Sequence, residues 1–213
     1  MSGIELSKDF IKNELIVEVC GGIASGKTTF ASLMTRIYLF PIFEDFKKSP
    51  FWEAFYRNPG KYIFETEVSF ILLHYHQIKK ALESTKSNKL ICDFSFLLDL
   101  AYAKIGLTGT ELKAFESVLD EIRRDFLKPS LIVYLICDAK TELERIRRRA
   151  RAEENSINLG FLGSLNKALH KEVENIQGTI PVITIDSSKK NFANDERVKD
   201  EMVNIIDNHL SKY

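Results

Sequence analysis

Residues 21–29 of this chain read Gly21-Gly22-Ile23-Ala24-Ser25-Gly26-Lys27-Thr28-Thr29. The first eight fit the pattern G-x-x-x-x-G-K-[ST], whose glycines let backbone N–H groups turn inward around phosphate oxygens. In such a loop, Lys27 bridges the β- and γ-phosphates and the Thr28 hydroxyl ligates Mg²⁺. An apolar run precedes this stretch and a helical pattern follows it, which favours a phosphate-binding loop over a chance glycine turn before Lys-Thr.

Apolar runs alternate with helical patterns along the rest of the chain. The strands predicted from these runs are 15–20, 39–43, 89–93, 131–137 and 182–186, and Pro41 places the second of them at a sheet edge. The predicted helices are 28–38, 61–83, 96–105, 110–127, 139–154, 159–175 and 195–210, and 44–58 is predicted to be irregular. Strands separated by helices indicate parallel β-α units. We predict a three-layer α/β fold with a five-stranded parallel sheet, helices on both faces, and a single domain over 1–213.

Composition excludes several classes of protein. The 213 residues are 45% hydrophobic and 28% charged, which excludes a largely disordered chain. The 30 basic and 30 acidic residues balance, which argues against a dedicated nucleic-acid binder. The chain has no apolar run long enough to span a membrane, and its first residues do not resemble a signal peptide. Cys20, Cys92 and Cys137 each follow an apolar run, so we expect buried thiols in a reducing, cytoplasmic compartment.

Four further segments match, in part, a pattern that is typical of one enzyme family. They are Glu44-Asp45, Phe55–Glu67, Asp93-Phe94-Ser95 and Arg149–Glu154. With the complete loop at 21–29, they make nearly the whole chain resemble the deoxynucleoside kinase family. The resemblance implies a P-loop kinase fold with an arginine-rich lid at about 142–158. It also implies an enzyme that uses ATP and Mg²⁺ to phosphorylate the 5′-hydroxyl of a (deoxy)nucleoside in nucleotide salvage, as a homodimer.

The same resemblance implies roles for individual residues. The loop and the arginines Arg149 and Arg151 would bind the donor phosphates, and Thr28 and Asp93 would face the metal ion. Glu44 would be the general base on the 5′-hydroxyl. The expected substrate contacts are Tyr56 and Glu154 at the 3′-hydroxyl of the sugar, and Glu67, His74 and Asp99 around the base. His74 falls where the family often has an arginine, so it could also offset the paired charge of Glu67 and Asp99.

The arginine cluster supports part of this interpretation without the resemblance. Five arginines lie within seven residues, at 145, 147, 148, 149 and 151. Phosphoryl transfer depends on positioning and charge neutralisation, which a bidentate arginine clamp supplies. The alternative is a solvated helix face on which Glu142 and Glu144 pair with the arginines. The loop at 21–29 favours the clamp.

Two substitutions depart from the family pattern. Phe94 stands where the family has an arginine that contacts the acceptor's 5′ oxygen, and Arg57, Lys61 or Arg36 are the candidates to replace that arginine. Glu67 stands where the family has a glutamine that reads the base. An ionised Glu offers only acceptors, which favours guanine-like bases with two adjacent donors. The alternative is a protonated Glu67 that mimics glutamine.

Three functions therefore remain open at this stage. The first is an ATP-dependent (deoxy)nucleoside kinase, which we favour because the loop and the arginine cluster are intact. The second is a nucleoside monophosphate kinase, whose acceptor phosphate would need Arg57, Lys61 and the lid. The third is a catalytically weak relative that acts as a binding or assembly subunit. For the homodimer, the candidate surfaces are the apolar faces of 64–82 and 96–119.

Overall fold

Five strands form one sheet in the computed structural model, which describes residues 14–85, 87–125 and 128–212. All neighbouring strands are parallel, in the order β2-β3-β1-β4-β5. Their bounds are β1 Leu15–Gly21, β2 Phe40–Ile42, β3 Lys89–Cys92, β4 Leu131–Ile136 and β5 Val182–Asp186. The predicted strands are confirmed to within one residue at either end. Pro41 lies on β2, an edge strand, so its missing N–H does not remove a hydrogen bond between central strands.

Eight α-helices connect and cover the strands of the described chain. Their bounds are α1 Lys27–Leu33, α2 Trp52–Arg57, α3 Pro59–Ser84, α4 Phe96–Gly106, α5 Gly109–Asp125, α6 Ala139–Arg149, α7 Leu159–Ile176 and α8 Glu196–Leu210. The predicted helix at 28–38 is divided into α1 and a 3-10 turn at Met34–Ile37. The end of the predicted helix at 110–127 and the N-terminal residues 1–13 lie outside the described residues.

Two sequence predictions are wrong. Residues 44–58 are not irregular, because they contain a 3-10 turn at Phe46–Lys48 and the short helix α2. Aromatic packing holds this segment together, with the Trp52 ring 4.6 Å from Phe46 and 4.7 Å from Tyr56. Such contacts have no helical period, so a search for periodicity misses them.

The predicted helix at 139–154 is also wrong in its last five residues. Helix α6 stops at Arg149, and Ala150 adopts a left-handed conformation with φ of 51°. A 3-10 turn follows at Ala152–Ser156, and a side chain of α6 binds backbone atoms at the end of this turn. Arg147 donates hydrogen bonds to the carbonyl oxygens of Asn155 and Ile157 at 3.0 Å each. The bend therefore depends on contacts between residues eight and ten positions apart in sequence.

The sheet is covered on both faces, as predicted. Val17 and Val19 of β1 belong to a core cluster with Phe30 of α1 and Met202 and Ile206 of α8. On the other face, the strands pack against α3, α4, α5 and α7. A central parallel strand buried on both faces needs a continuous apolar run, which explains the composition of β1 and β4.

The three cysteines are buried and free, as the sequence predicts. The apolar faces of 64–82 and 96–119, which we considered as dimer surfaces, contribute to the core, where Ile71 and Ile78 of α3 pack with Leu100 of α4 and Phe115 of α5. Within the described residues, none of the helices combines the length and the apolar character needed to cross a bilayer.

Candidate active site

The loop at 21–29 connects β1 to α1 at the carboxyl end of the sheet. Its turn requires glycine at position 26, where φ is 103° and an added Cβ would lie 3.1 Å from Phe192. At Gly22, an added Cβ would overlap the Glu142 carboxylate. The Lys27 ammonium donates hydrogen bonds to the carbonyl oxygens of Gly21 at 3.0 Å and Gly22 at 2.9 Å. The lysine is therefore held inside the loop by groups that a phosphate can replace.

A hydrogen-bonded chain joins the loop to two other strand ends. The Thr28 hydroxyl donates to Asp93 Oδ2 at 2.6 Å, and the Glu44 backbone N–H donates to Asp93 Oδ1, also at 2.6 Å. Asp93 follows β3 and Glu44 follows β2, so parallel pairing brings both to this edge. Burial raises the pKa of Asp93, although the Thr28 and Glu44 hydrogen bonds oppose the shift.

Thr28 and Asp93 supply a hydroxyl and a carboxylate oxygen, which are ligands that Mg²⁺ accepts. No group of three or more His, Cys, Asp or Glu residues surrounds a possible ion in the described ranges. A magnesium ion at this position would therefore complete its octahedral shell with phosphate oxygens and water, as Mg²⁺ commonly does. The donor set fits the metal that the resemblance implies.

The acceptor side of the site, defined as Glu44, Glu67, His74 and Asp99, combines three buried ionisable groups with the partly exposed Glu44. His74 lies on α3, with Nδ1 2.9 Å from Asp99 Oδ2 and Nε2 3.2 Å from Glu44 Oε1. Burial alone would lower the pKa of His74, but the charge of Asp99 and hydrogen bonds to both carboxylates raise it to about 10. Burial raises the pKa of Glu44, but the His74 hydrogen bond and charge bring it below its ordinary value.

The position of His74 differs from our prediction of a direct substrate contact. Its side chain is only 1% exposed and lies behind the cleft wall, with its ring stacked on Phe94 at 4.0 Å. It therefore contacts the two carboxylates rather than the space for a substrate. The sequence could not distinguish these positions, because residues on one helix face look alike whether they are covered or not.

Glu67 lies in the cleft wall and is 4% exposed. Burial and the nearby charge of Asp99 raise its pKa well above the ordinary value. A raised pKa favours the protonated form, in which a carboxyl group carries one donor and one acceptor. This shift supports the alternative in which Glu67 mimics a glutamine.

The five clustered arginines divide into different roles. Arg145 donates hydrogen bonds to two backbone carbonyl oxygens, that of Ala24 in the loop at 3.2 Å and that of Ser187 after β5 at 2.7 Å. It therefore connects the loop to the segment that follows β5. Arg147 holds the bend of the lid, as described above, and Arg148 is exposed. The two remaining side chains, Arg149 and Arg151, line the cleft.

Glu154 holds these two arginines in place. Arg149 makes a bidentate pair with the Glu154 carboxylate, at 2.7 Å from Nε and 2.5 Å from a terminal nitrogen. Arg151 lies 3.4 Å from the same carboxylate, and its guanidinium stacks 4.7 Å from the Phe46 ring. Glu154 itself is 2% exposed. Both guanidiniums therefore face the cleft with one buried counter-ion behind them.

The cleft has a volume of about 490 Å³. Fourteen predicted site residues line it: Ile23, Ala24, Gly26, Lys27, Thr28, Thr29, Glu44, Tyr56, Glu67, Asp93, Asp99, Arg149, Arg151 and Glu154. Gly21, Gly22 and Ser25 lie in the loop but do not line the cleft. Sequence reasoning missed the lining residues Phe46, Trp52, Phe55, Phe70 and Tyr102. The aromatic-rich stretch from 44 to 58 was the available signal for the first three.

The cations considered as replacements for the missing arginine lie elsewhere. Arg57 is exposed and pairs with Glu53, whereas Arg36 pairs with Glu196 and Asp200 of α8. Neither they nor Lys61 line the cleft. In the described parts of the chain, the cations that line it are Lys27, Arg145, Arg149 and Arg151, all on the side of the loop and the lid.

Comparisons with known proteins agree with this geometry. A sequence model of the family "Deoxynucleoside kinase" matches residues 17–211. The deoxyguanosine kinase of Bacillus subtilis (strain 168) is 25% identical over 182 residues, covering 83% of this chain and 88% of the relative. The deoxyadenosine kinase of Dictyostelium discoideum is 28% identical over 183 residues, covering 81% of this chain and 72% of the relative.

The fold is similar to that of a solved structure of deoxyadenosine kinase from M. mycoides with bound dCTP. The TM-score is 0.76 at 19% identity, and the match covers 93% of this chain and 100% of that chain. The five-stranded parallel sheet with helices on both faces is therefore a P-loop kinase fold. Because the family model runs through the loop, the cleft and the lid, this chain belongs to the deoxynucleoside kinase family, whose members are phosphotransferases.

Proposed function

We propose that this enzyme transfers the γ-phosphate of ATP to the 5′-hydroxyl of a deoxynucleoside and prefers guanine-like purines. One observation carries the proposal: a chain of hydrogen bonds from Thr28 through Asp93 to the backbone of Glu44 joins a phosphate loop to a cleft carboxylate. A donor phosphate and an acceptor hydroxyl can therefore be held side by side. Phosphoryl transfer needs this kind of positioning more than covalent help.

In the proposed reaction, Glu44 accepts the proton of the 5′-hydroxyl while the oxygen forms a bond to the γ-phosphorus. The bond from that phosphorus to the bridging oxygen breaks, and ADP leaves with the electron pair. Lys27 exchanges its two loop carbonyls for phosphate oxygens. Arg149 and Arg151 neutralise the charge that spreads over the transferred group. Mg²⁺, held by Thr28 and Asp93, would add positive charge beside the β- and γ-phosphates.

The charges of the cleft support a nucleoside over a nucleoside monophosphate as acceptor. Its acceptor wall carries Glu44, Glu67 and Asp99, and the lining cations belong to the loop and the lid. An acceptor phosphate would bring about two negative charges against this wall without a cation of its own. The deoxynucleoside kinases among the similar proteins agree with this choice.

For the base, Glu67 is the residue that we expect to discriminate. A guanine edge presents two adjacent donors, and binding it would stabilise the ionised, acceptor-only form of the carboxyl group. Replacing Glu67 with Gln is expected to lower kcat/KM for deoxyguanosine relative to deoxyadenosine by roughly tenfold, the loss of one charged hydrogen bond. An unchanged ratio would contradict the guanine preference while leaving the kinase activity itself untouched.

The decisive experiment follows ADP release with ATP, Mg²⁺ and a panel of deoxynucleosides, ribonucleosides and their 5′-monophosphates. We expect turnover with deoxynucleosides and a loss of about a hundred- to ten-thousandfold in Glu44→Gln, the range of general base catalysis. Glu53→Gln is the matched control, because Glu53 is exposed on the neighbouring helix α2. Turnover confined to monophosphates, or ATP binding with no turnover, would refute the proposal.

Two further parts of the proposal concern the state of the protein in the cell. The buried, free thiols of Cys20, Cys92 and Cys137 support a reducing compartment such as the cytoplasm. A homodimer is proposed from the family resemblance, and light scattering after size-exclusion chromatography tests it directly. A mass of about 25 kDa, that of one chain, would contradict the dimer.

A further inference from the structure

Within the acceptor side, His74 bridges two carboxylates behind the cleft wall. Both ring nitrogens of His74 are occupied, one by Asp99 Oδ2 at 2.9 Å and the other by Glu44 Oε1 at 3.2 Å. Ionised carboxylates only accept hydrogen bonds, so a ring that satisfies both of them must donate from both nitrogens. The geometry therefore requires an imidazolium ion wherever both carboxylates are ionised.

The ring is held in one orientation by aromatic side chains. Phe94 stacks on it with a centroid distance of 4.0 Å and an interplanar angle of 6°, while Phe70 and Phe96 lie at 5.9 and 6.4 Å. Phe94 is 2% exposed, so this packing keeps water away from the ring. A charge is worth more at short range in such surroundings than it is in water.

The charges around His74 explain why a cation is needed there. Asp99 on α4 and Glu44 after β2 both lie within hydrogen-bond distance of its ring, and Glu67 on its own helix adds negative charge whenever it is ionised. The cations Lys27 and Arg151 also act on Glu44, but they lie on the loop and the lid, where the donor phosphates would engage them. The pKa of His74, raised to about 10, agrees with a permanent charge.

We propose that His74 is the fixed counter-ion of the general base, a positioning residue that orients the Glu44 carboxylate from behind the cleft. This inference rests on the proposed function, in which Glu44 accepts the proton of the 5′-hydroxyl. When Glu44 becomes neutral, Asp99 still pairs with the opposite ring nitrogen, so the imidazolium keeps its proton. His74 therefore acts as a constant charge and not as a proton relay.

The kinetic test removes the cation at position 74 and then supplies one at position 94. His74→Gln retains a hydrogen-bonding side chain but removes the charge, and we expect kcat to fall by about ten- to a hundredfold with little change in the KM for ATP. Phe94 packs against His74, so an arginine at position 94 can bring a charge to the same place. The double variant His74→Gln, Phe94→Arg is expected to recover at least threefold of that loss, and Phe94→Arg alone measures any gain that an arginine at position 94 brings in the presence of His74.

The matched control is His76→Gln, since His76 is exposed on the same helix two residues further on. An unchanged kcat in His74→Gln would overturn the proposal, as would a double variant no faster than His74→Gln. The latter result would assign His74 a packing role only. Failure of the proposed function is a separate outcome, because wild type would then show no nucleoside turnover at all.

A second measurement does not depend on activity. Nitrogen NMR of the histidine rings in the wild-type protein at pH 8 distinguishes an imidazolium from a neutral tautomer, and His74→Gln identifies the signal. We expect both nitrogens of His74 to be protonated at this pH, unlike those of a free histidine, whose ordinary pKa is about 6.5. A neutral His74 ring at pH 8 would overturn the proposal whatever the kinetics of the variants show.

Discussion

The two sides of the cleft are built in different ways. The donor side, defined as the loop 21–29 with Arg149 and Arg151, consists of short continuous segments whose cations are half exposed and bound to replaceable partners. Lys27 bonds carbonyl oxygens of its own loop, and the lid arginines share a single carboxylate, Glu154. The acceptor side joins side chains from three separate elements into one buried network.

This difference has a physical reason. Phosphates arrive with several negative charges, so donor groups must be able to change partners when they bind. A nucleoside is neutral, and the carboxylates that face it must be neutralised within the protein before any ligand is present. The donor side is therefore poised for exchange, whereas the acceptor side is organised in advance.

The largest expected effect is on the donor side. Lys27→Ala removes the ammonium group, which in the proposed reaction exchanges its two carbonyl partners for phosphate oxygens. We therefore expect kcat to fall about a thousandfold or more. The free energy of unfolding should change little, because a loop already satisfied by backbone contacts loses only two exchangeable hydrogen bonds. ADP release and thermal melting measure both quantities.

Lys113→Ala is the control for this prediction, since Lys113 is exposed on α5. A Lys27→Ala enzyme with near-normal kcat would show that the donor phosphates are neutralised by the lid alone. It would also mean that the exchangeable contacts of Lys27 do not distinguish the donor side from the fixed network of the acceptor side.

An intermediate effect is expected in the lid. Arg149→Ala leaves the buried Glu154 carboxylate without its bidentate partner, so the free energy of unfolding should fall by about 1–3 kcal/mol. kcat should fall about a hundredfold because one phosphate clamp is lost. Arg148→Ala, at an exposed neighbour, should change neither quantity. Equal effects of the two variants would indicate that the cluster is a solvated face after all.

The smallest effect on catalysis is expected beside the loop at 21–29, where the change concerns stability and its dependence on pH. Glu142 packs under Gly22, and Asn166 donates a hydrogen bond to its Oε2 at 2.9 Å. Burial is the main cause that raises its pKa from 4.5 to about 7. The folded state therefore binds more protons than the unfolded state between these values, and stability present below pH 4.5 is lost as the pH rises to about 7.

Glu142→Gln removes this titration. Relative to wild type, its free energy of unfolding should rise by about 3 kcal/mol between pH 4.5 and pH 8, which corresponds to several degrees in melting temperature. Glu144→Gln, at the exposed neighbouring position, should keep the wild-type profile. On the acceptor side the sign is the same but the pH window is higher, because the stability that a raised His74 pKa contributes is lost as the pH rises from about 6.5 to about 10. Parallel pH profiles of wild type and Glu142→Gln would contradict the assignment.

Much of the sheet could be predicted from single segments. The strands and most helices follow from apolar runs and their periods, because burial on both faces of a parallel sheet leaves a local pattern. The bend at Ala150 and the helix α2 could not be predicted, since they depend on Arg147 reaching Asn155 and on Trp52 packing between aromatic rings. Contacts of this kind have no signature in one stretch of sequence.

The sequence by itself determined the donor loop and the strand and helix on either side of it, because a phosphate loop is made by consecutive residues whose backbone does the binding. It also predicted that Glu44, Glu67, Asp93 and Asp99 lie together, and all four line the cleft. Only the tertiary structure decided their surroundings: burial and the charge of Asp99 raise the pKa of Glu67, and the carboxylates of Asp99 and Glu44 raise the pKa of His74. Protonation depends on what surrounds a group in space, and residues 44, 67, 74 and 99 become neighbours only when the chain folds.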